Sequence, residues 1–139
     1  MTPLYAQDHD YSMFNVLAVD DIPLNLLLVQ KMLSRFNFQM RTAANGQQAL
    51  DAVAAKKPDL ILLDLMMPGI DGFEVIRRLR ADPATADIQI VILSALNSNE
   101  DIVKGFNVGA NDFIMKPIIM EKLLSCVVTQ MQIVQSKAR

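Results

Sequence analysis

The stretch Leu60-Ile61-Leu62-Leu63-Asp64-Leu65-Met66-Met67-Pro68-Gly69 sets one carboxylate within an apolar run that closes on a Pro-Gly turn. The apolar residues before Asp64 predict a short strand buried on both faces. A lone carboxylate at the end of such a strand is costly to bury unless it is paired or bound to a metal. A second apolar run, Phe14-Asn15-Val16-Leu17-Ala18-Val19, ends on Asp20-Asp21. If the two runs are neighbouring strands, their acidic ends form a divalent-cation site around a potentially nucleophilic Asp64. That combination points to phosphoryl chemistry on an aspartate.

Working outward, strand-like runs alternate with helical patterns along the chain. Strands are predicted at 15–20, 38–43, 59–64, 88–94 and 111–115, and helices near 23–36, 46–56, 72–82, 99–107 and 118–135. Pro23 suits a first helical turn. Asp71 with Glu74, and Ser98 with Asp101, have capping-box spacing. Five successive βα units predict a parallel sheet with helices on both faces, an α/β domain. Ligands of such sheets lie beyond the strand C-termini, where the strand order reverses. In the order 2-1-3-4-5, Asp20, Asp21, Asp64, Ser94 and Lys116 could ring one crevice.

The bulk properties narrow the function. A chain of 139 residues makes one domain; residues 1–13 are expected to be a polar N-terminal extension and 14–137 the folded unit. A formal net charge of −2 gives no bulk attraction to nucleic acid or to anionic lipid. No apolar run approaches the roughly 18–20 residues that span a bilayer, and no secretion signal opens the chain. The single cysteine, Cys126, excludes an internal disulfide and fits a reducing, cytoplasmic setting; its apolar helical context marks it as core. With one histidine, His9, a zinc site of the usual kind is not expected.

The carboxylates of Asp20, Asp21 and Asp64 would repel one another when ionised, and a bound Mg²⁺ would relieve that repulsion. Ser94 can donate a hydrogen bond to a phosphoryl oxygen, and Lys116 supplies a positive charge. In these elements the sequence resembles the receiver domain of two-component response regulators. The matching segments are Val19-Asp20-Asp21, then Leu63 through Gly72, Leu93-Ser94-Ala95, Gly109-Ala110-Asn111-Asp112-Phe113 and Lys116-Pro117. The resemblance covers about residues 14 to 135.

The resemblance implies a flavodoxin-like (βα)5 fold and a reversible aspartyl-phosphate switch fed by a histidine kinase or histidine phosphotransfer protein. It assigns Asp64 as phosphoacceptor, and Asp20 and Asp21 as the pair that positions Mg²⁺. The backbone carbonyl of Met66 becomes a further metal ligand. Ser94 becomes the switch hydroxyl, Phe113 the switch aromatic and Lys116 the phosphoryl-binding lysine. It also implies a cis Lys116–Pro117 bond. Ile22 departs from the polar residue often found after the acidic pair, which touches only loop contacts.

Output would pass to a downstream protein, or to a second copy in a homodimer, through the face of the fourth helix, fifth strand and fifth helix. The first helix is predicted to pack on the sheet through Asn25, Val29, Met32, Leu33 and Phe36. Leu24 and Leu27 fall elsewhere, either as scattered surface leucines or as a docking patch for the phosphodonor. A Mg²⁺-dependent phosphohydrolase that forms an aspartyl phosphate is the weaker alternative, because Leu65 and Met66 supply no second acid beside Asp64. With neither a helix-turn-helix segment nor a basic patch, the sequence reads as a stand-alone regulator or a receiver excised from a hybrid kinase or larger regulator.

Overall fold

The computed structural model describes residues 10–137. The elements are β1 (Asn15–Val19), α1 (Pro23–Met32), β2 (Gln39–Ala43), α2 (Gly46–Ala55), β3 (Leu60–Leu63), α3 (Gly72–Ala81), β4 (Gln89–Ser94), α4 (Asn99–Val108), β5 (Asp112–Met115) and α5 (Met120–Lys137). All strand pairs are parallel, in the order β2-β1-β3-β4-β5. The architecture is the doubly wound α/β sandwich expected from the sequence.

The continuous apolar runs hide a period of two. Val16, Ala18, Leu60, Leu62, Val91, Leu93 and Ile114 point to one face, where α1 and α5 cover them. Leu17, Val19, Ile61, Leu63, Ile90 and Ile92 point to the other, against α2 and α3. Both faces are dry, so β1, β3 and β4 have no solvent side to carry polar residues. The winding reverses between β1 and β3, and the loops after these two strands open a crevice there. Register brings their ends level: Val19 pairs with Leu63, and Asp64 N donates to Val19 O at 3.0 Å.

Local chemistry sets the helix ends. Asp71 and Ser98 cap α3 and α4 by accepting from Glu74 N and Asp101 N, as their spacing predicted. Asn45 caps α2 by accepting from Gln48 N at 2.8 Å, while Gln48 Oε1 accepts from Ala44 N at 2.9 Å. α1 is shorter than the span 23–36. It gives way to a 3₁₀ turn, Ser34–Phe36, that ends at Asn37 with φ 61°. That turn drops Phe36 into the core, where it is fully buried.

One residue qualifies the expected boundaries. Tyr11 lies within the predicted polar extension, yet it is 3% exposed and packs with Phe14, Phe36 and Phe38. The packed unit therefore begins before residue 14. His9 and the rest of residues 1–9 lie outside the described residues. Cys126 is buried in α5, as its pattern predicted, with Sγ donating to Asp112 Oδ2 at 3.3 Å. Burial pushes its thiol pKa up to about 12. Among the described residues no helix is long and apolar enough to cross a membrane.

Candidate functional site

The site is assembled from strand ends. Asp20 and Asp21 follow β1, Asp64 follows β3, Ser94 closes β4, and Lys116 follows β5. Ligand oxygens of Asp20, Asp21 and Asp64 all lie within 4.8 Å of one another. Asp64 is 5% exposed and Asp20 is 6% exposed, whereas Asp21 opens to solvent. Three hard carboxylate donors at this spacing fit a divalent cation such as Mg²⁺, which takes oxygen ligands and keeps some of its waters.

Lys116 brings a cation to this cluster: its Nζ sits 2.7 Å from Asp20 Oδ2 and 3.6 Å from Asp64 Oδ2. Asp64 Oδ1 accepts from Met66 N at 3.2 Å. Burial raises the Asp64 pKa, opposed by the Met66 N–H and by Lys116 and assisted by the Asp20 carboxylate; the net shift is upward. The Asp20 carboxylate is held on both oxygens. Oδ1 accepts from Ile22 N at 2.9 Å, and Oδ2 accepts from Lys116 Nζ and from Asn25 Nδ2 at 3.1 Å.

Close approach of α3 completes the floor. A Cβ at Gly72 would sit 2.7 Å from Asp64 O and 2.8 Å from Leu65 Cα, both backbone atoms, so only glycine lets α3 start there. Gly69, at φ 78°, turns the chain between Asp64 and that helix.

Ser94 is fully buried, and its Oγ accepts from Leu96 N at 3.2 Å. The Ser94 carbonyl accepts from Lys116 N at 2.8 Å, which ties the loop after β5 to the end of β4. Phe113 pairs with Ile92 in the sheet and, by strand alternation, shares the face of Ser94. Its ring packs beside Gly105 of α4. The Met66 side chain is exposed, and the Lys116–Pro117 bond is cis.

The structure thus brings Asp20, Asp21, Asp64 and Lys116 together and sets Ser94 on the neighbouring strand. Sequence reasoning assigned Asn25 to the sheet-packing face of α1 and missed its bond to Asp20. The available signal was a polar residue on the inward face of a helix that follows an acidic pair.

The model of the response regulator receiver domain family matches residues 16–128. The chain belongs to this family. Response regulator PleD of Caulobacter vibrioides is 45% identical over 103 residues, 74% of this chain and 23% of PleD. Protein PilH of Pseudomonas aeruginosa is 34% identical over 115 residues, 83% of this chain and 95% of PilH. The crystal structure of the receiver domain of a signal transduction histidine kinase from Syntrophus aciditrophicus superposes with a TM-score of 0.79 at 30% identity, covering 86% of this chain and 90% of that one. The chain therefore spans about a quarter of PleD's length and nearly all of PilH's. As a receiver domain of two-component systems it is a regulatory domain, and such domains work with histidine kinases or phosphotransfer proteins.

Proposed function

We propose that this receiver domain accepts a phosphoryl group on Asp64 from a phosphohistidine donor, with Mg²⁺ held by Asp20, Asp21, Asp64 and the backbone carbonyl of Met66. The observation that carries this reading is the meeting of three carboxylates within 4.8 Å, with the Lys116 ammonium 3.6 Å from Asp64 Oδ2. When bound, Mg²⁺ offsets the negative charge of the carboxylates and of the incoming phosphoryl oxygens.

The protein supplies the rest. An Asp64 carboxylate oxygen attacks phosphorus, and the donor's imidazole nitrogen leaves with the electron pair of the broken P–N bond. Met66 N–H fixes the other Asp64 oxygen. Lys116 binds a phosphoryl oxygen through a charge-assisted contact. Ser94 still has its hydroxyl proton to donate while its oxygen accepts from Leu96 N. That donation draws β4 toward the phosphoryl group, and Phe113 follows on the same face of the sheet. The result is a population shift between two packings.

Output leaves through α4, β5 and α5 to a downstream protein or to a second copy of the domain. Exposed Val103, Phe106, Met115 and Met120 give that face apolar contact area. The donor docks on α1, where Leu24 and Leu27 stand in solvent. We assign the domain to the cytoplasm, as a separate regulator or as one module of a longer kinase or regulator.

Incubation with Mg²⁺ and acetyl phosphate tests the assignment. One hydroxylamine-sensitive phosphoryl group is expected on the parent, with none on Asp64→Asn and none with excess EDTA. Equal labelling of Asp64→Asn and parent would overturn it.

A further inference from the structure

We infer that Asn25 is a positioning residue for the divalent cation, acting through Asp20; this rests on the metal-site reading above. A carboxylate that must serve a cation has to present one oxygen lone pair in a fixed direction, and a buried one cannot rely on water to orient it. Asp20 has about four lone-pair sites on its two oxygens. Three are taken: Oδ1 by Ile22 N at 2.9 Å, and Oδ2 by Lys116 Nζ at 2.7 Å and by Asn25 Nδ2 at 3.1 Å. What remains is directed by those three donors.

The donors differ in constancy. Lys116 reaches Asp20 at the end of a flexible four-carbon stem, and its ammonium also lies 3.6 Å from Asp64 Oδ2. Any event at Asp64 that attracts the ammonium loosens its hold on Asp20. The Asn25 amide is short, neutral and fixed to the first turn of α1, and it donates to Asp20 Oδ2. It therefore holds Oδ2 whichever carboxylate Lys116 favours. The nitrogen is the atom facing Asp20, since an ionised carboxylate oxygen only accepts. Partners of this kind, one bond removed from a metal, typically change affinity by about 10–100-fold when removed.

Asn25 also lines a hollow of about 280 Å³ together with Asp20, Leu28, Met32, Lys116 and Pro117. An Asn25→Ala chain could admit water there to replace the lost donor. Asn25→Leu fills the same space with a group that cannot donate. This choice separates the hydrogen bond from the volume.

The test is Mg²⁺ affinity by titration calorimetry on the unphosphorylated chain. Asn25→Leu should bind Mg²⁺ about tenfold more weakly than the parent, and Asn25→Gln, which keeps the donor, should stay within threefold. In an Asp20→Asn background the Leu substitution should add no further loss, because its route runs through the Asp20 carboxylate. If Asn25→Leu fails to fold, Asn25→Ala, with its better helix propensity, takes its place with a smaller expected loss of about threefold. Affinity within twofold of the parent for every donor-free variant that folds, or a full tenfold loss persisting in the Asp20→Asn background, would overturn the role of Asn25. A parent that binds no Mg²⁺ would instead overturn the metal-site reading beneath it.

Discussion

Burial of Asp64 raises its pKa, and neither the Met66 N–H nor Lys116 fully reverses that. For an acid whose folded-state pKa exceeds its unfolded value of 3.8, the fold favours the protonated form. The associated stability is complete below the unfolded pKa and is lost as pH rises through the folded one. At pH 7, without metal, the ionised Asp64 therefore works against folding. Asp64→Asn in EDTA should raise the melting temperature at pH 7 by a few degrees, with the gain shrinking as pH falls into the carboxylate range. Mg²⁺ should stabilise the parent more than the variant, since the ion binds the native carboxylates. A lower melting temperature for Asp64→Asn at pH 7 would contradict this account. The acids and Lys116 were legible in the sequence because strand ends are readable and no bland role gathers such groups there. Asn25 was not, because its bond to Asp20 depends on the angle at which α1 leaves the strand, and no spacing rule encodes that angle.

At the scale of elements, unbroken apolar runs and capping residues located every strand and helix to within a few residues. Asn111 stands just before β5, where its N donates to Ile90 O and its Oδ1 accepts from Ile90 N, both at 2.7 Å, so the side chain supplies the acceptor for Ile90 N. Arg80 is another unseen device, donating to the carbonyls of Gly109, Ala86 and Ile88 and to Asn111 Oδ1, so that it pins the end of α3 to the turn after α4. Gly109 and Asn111 lie 29 and 31 positions away, so no local pattern announces that link. On α1, Val29 and Leu33 are buried, while Leu24 and Leu27 are 62% and 49% exposed. These two leucines are surface residues, and their worth to the protein lies outside its core. Changing both to Ser should alter stability by no more than about 0.5 kcal/mol each, as at other surface positions. Transfer from a histidine phosphodonor protein should slow several-fold, with acetyl phosphate labelling unchanged. Loss of roughly 2–5 kcal/mol per leucine would mean that they are core after all. Unchanged transfer would remove α1 as the docking site.

Taken as a whole molecule, the domain closes both faces of its sheet, and the first helix side depends on residues that the sequence pattern set outside the fold. Tyr11 is flanked by Asp10 and Ser12, which give it the look of a polar extension. Its packing partners arrive from 25 and 27 positions later: Phe36, with ring centroids 5.5 Å apart, and Phe38, stacked at 5.4 Å and 18°. Tyr11 N also donates to Phe36 O at 2.8 Å, which fastens the lead-in to the turn that ends α1. Such a cluster has neither helical nor strand periodicity, so only the tertiary structure reveals it. Because the same cluster backs α1, it also supports the helix from which Asn25 reaches Asp20. Removing a buried aromatic leaves a cavity that its neighbours fill only in part. Tyr11→Ala should therefore destabilise the domain by about 3 kcal/mol, near 10 °C in melting temperature for a chain of this size. A chain beginning at Phe14 should lose at least as much, measured by thermal or urea unfolding. A loss below about 1 kcal/mol in both would show the lead-in to be an accessory, with the core complete from β1 onward.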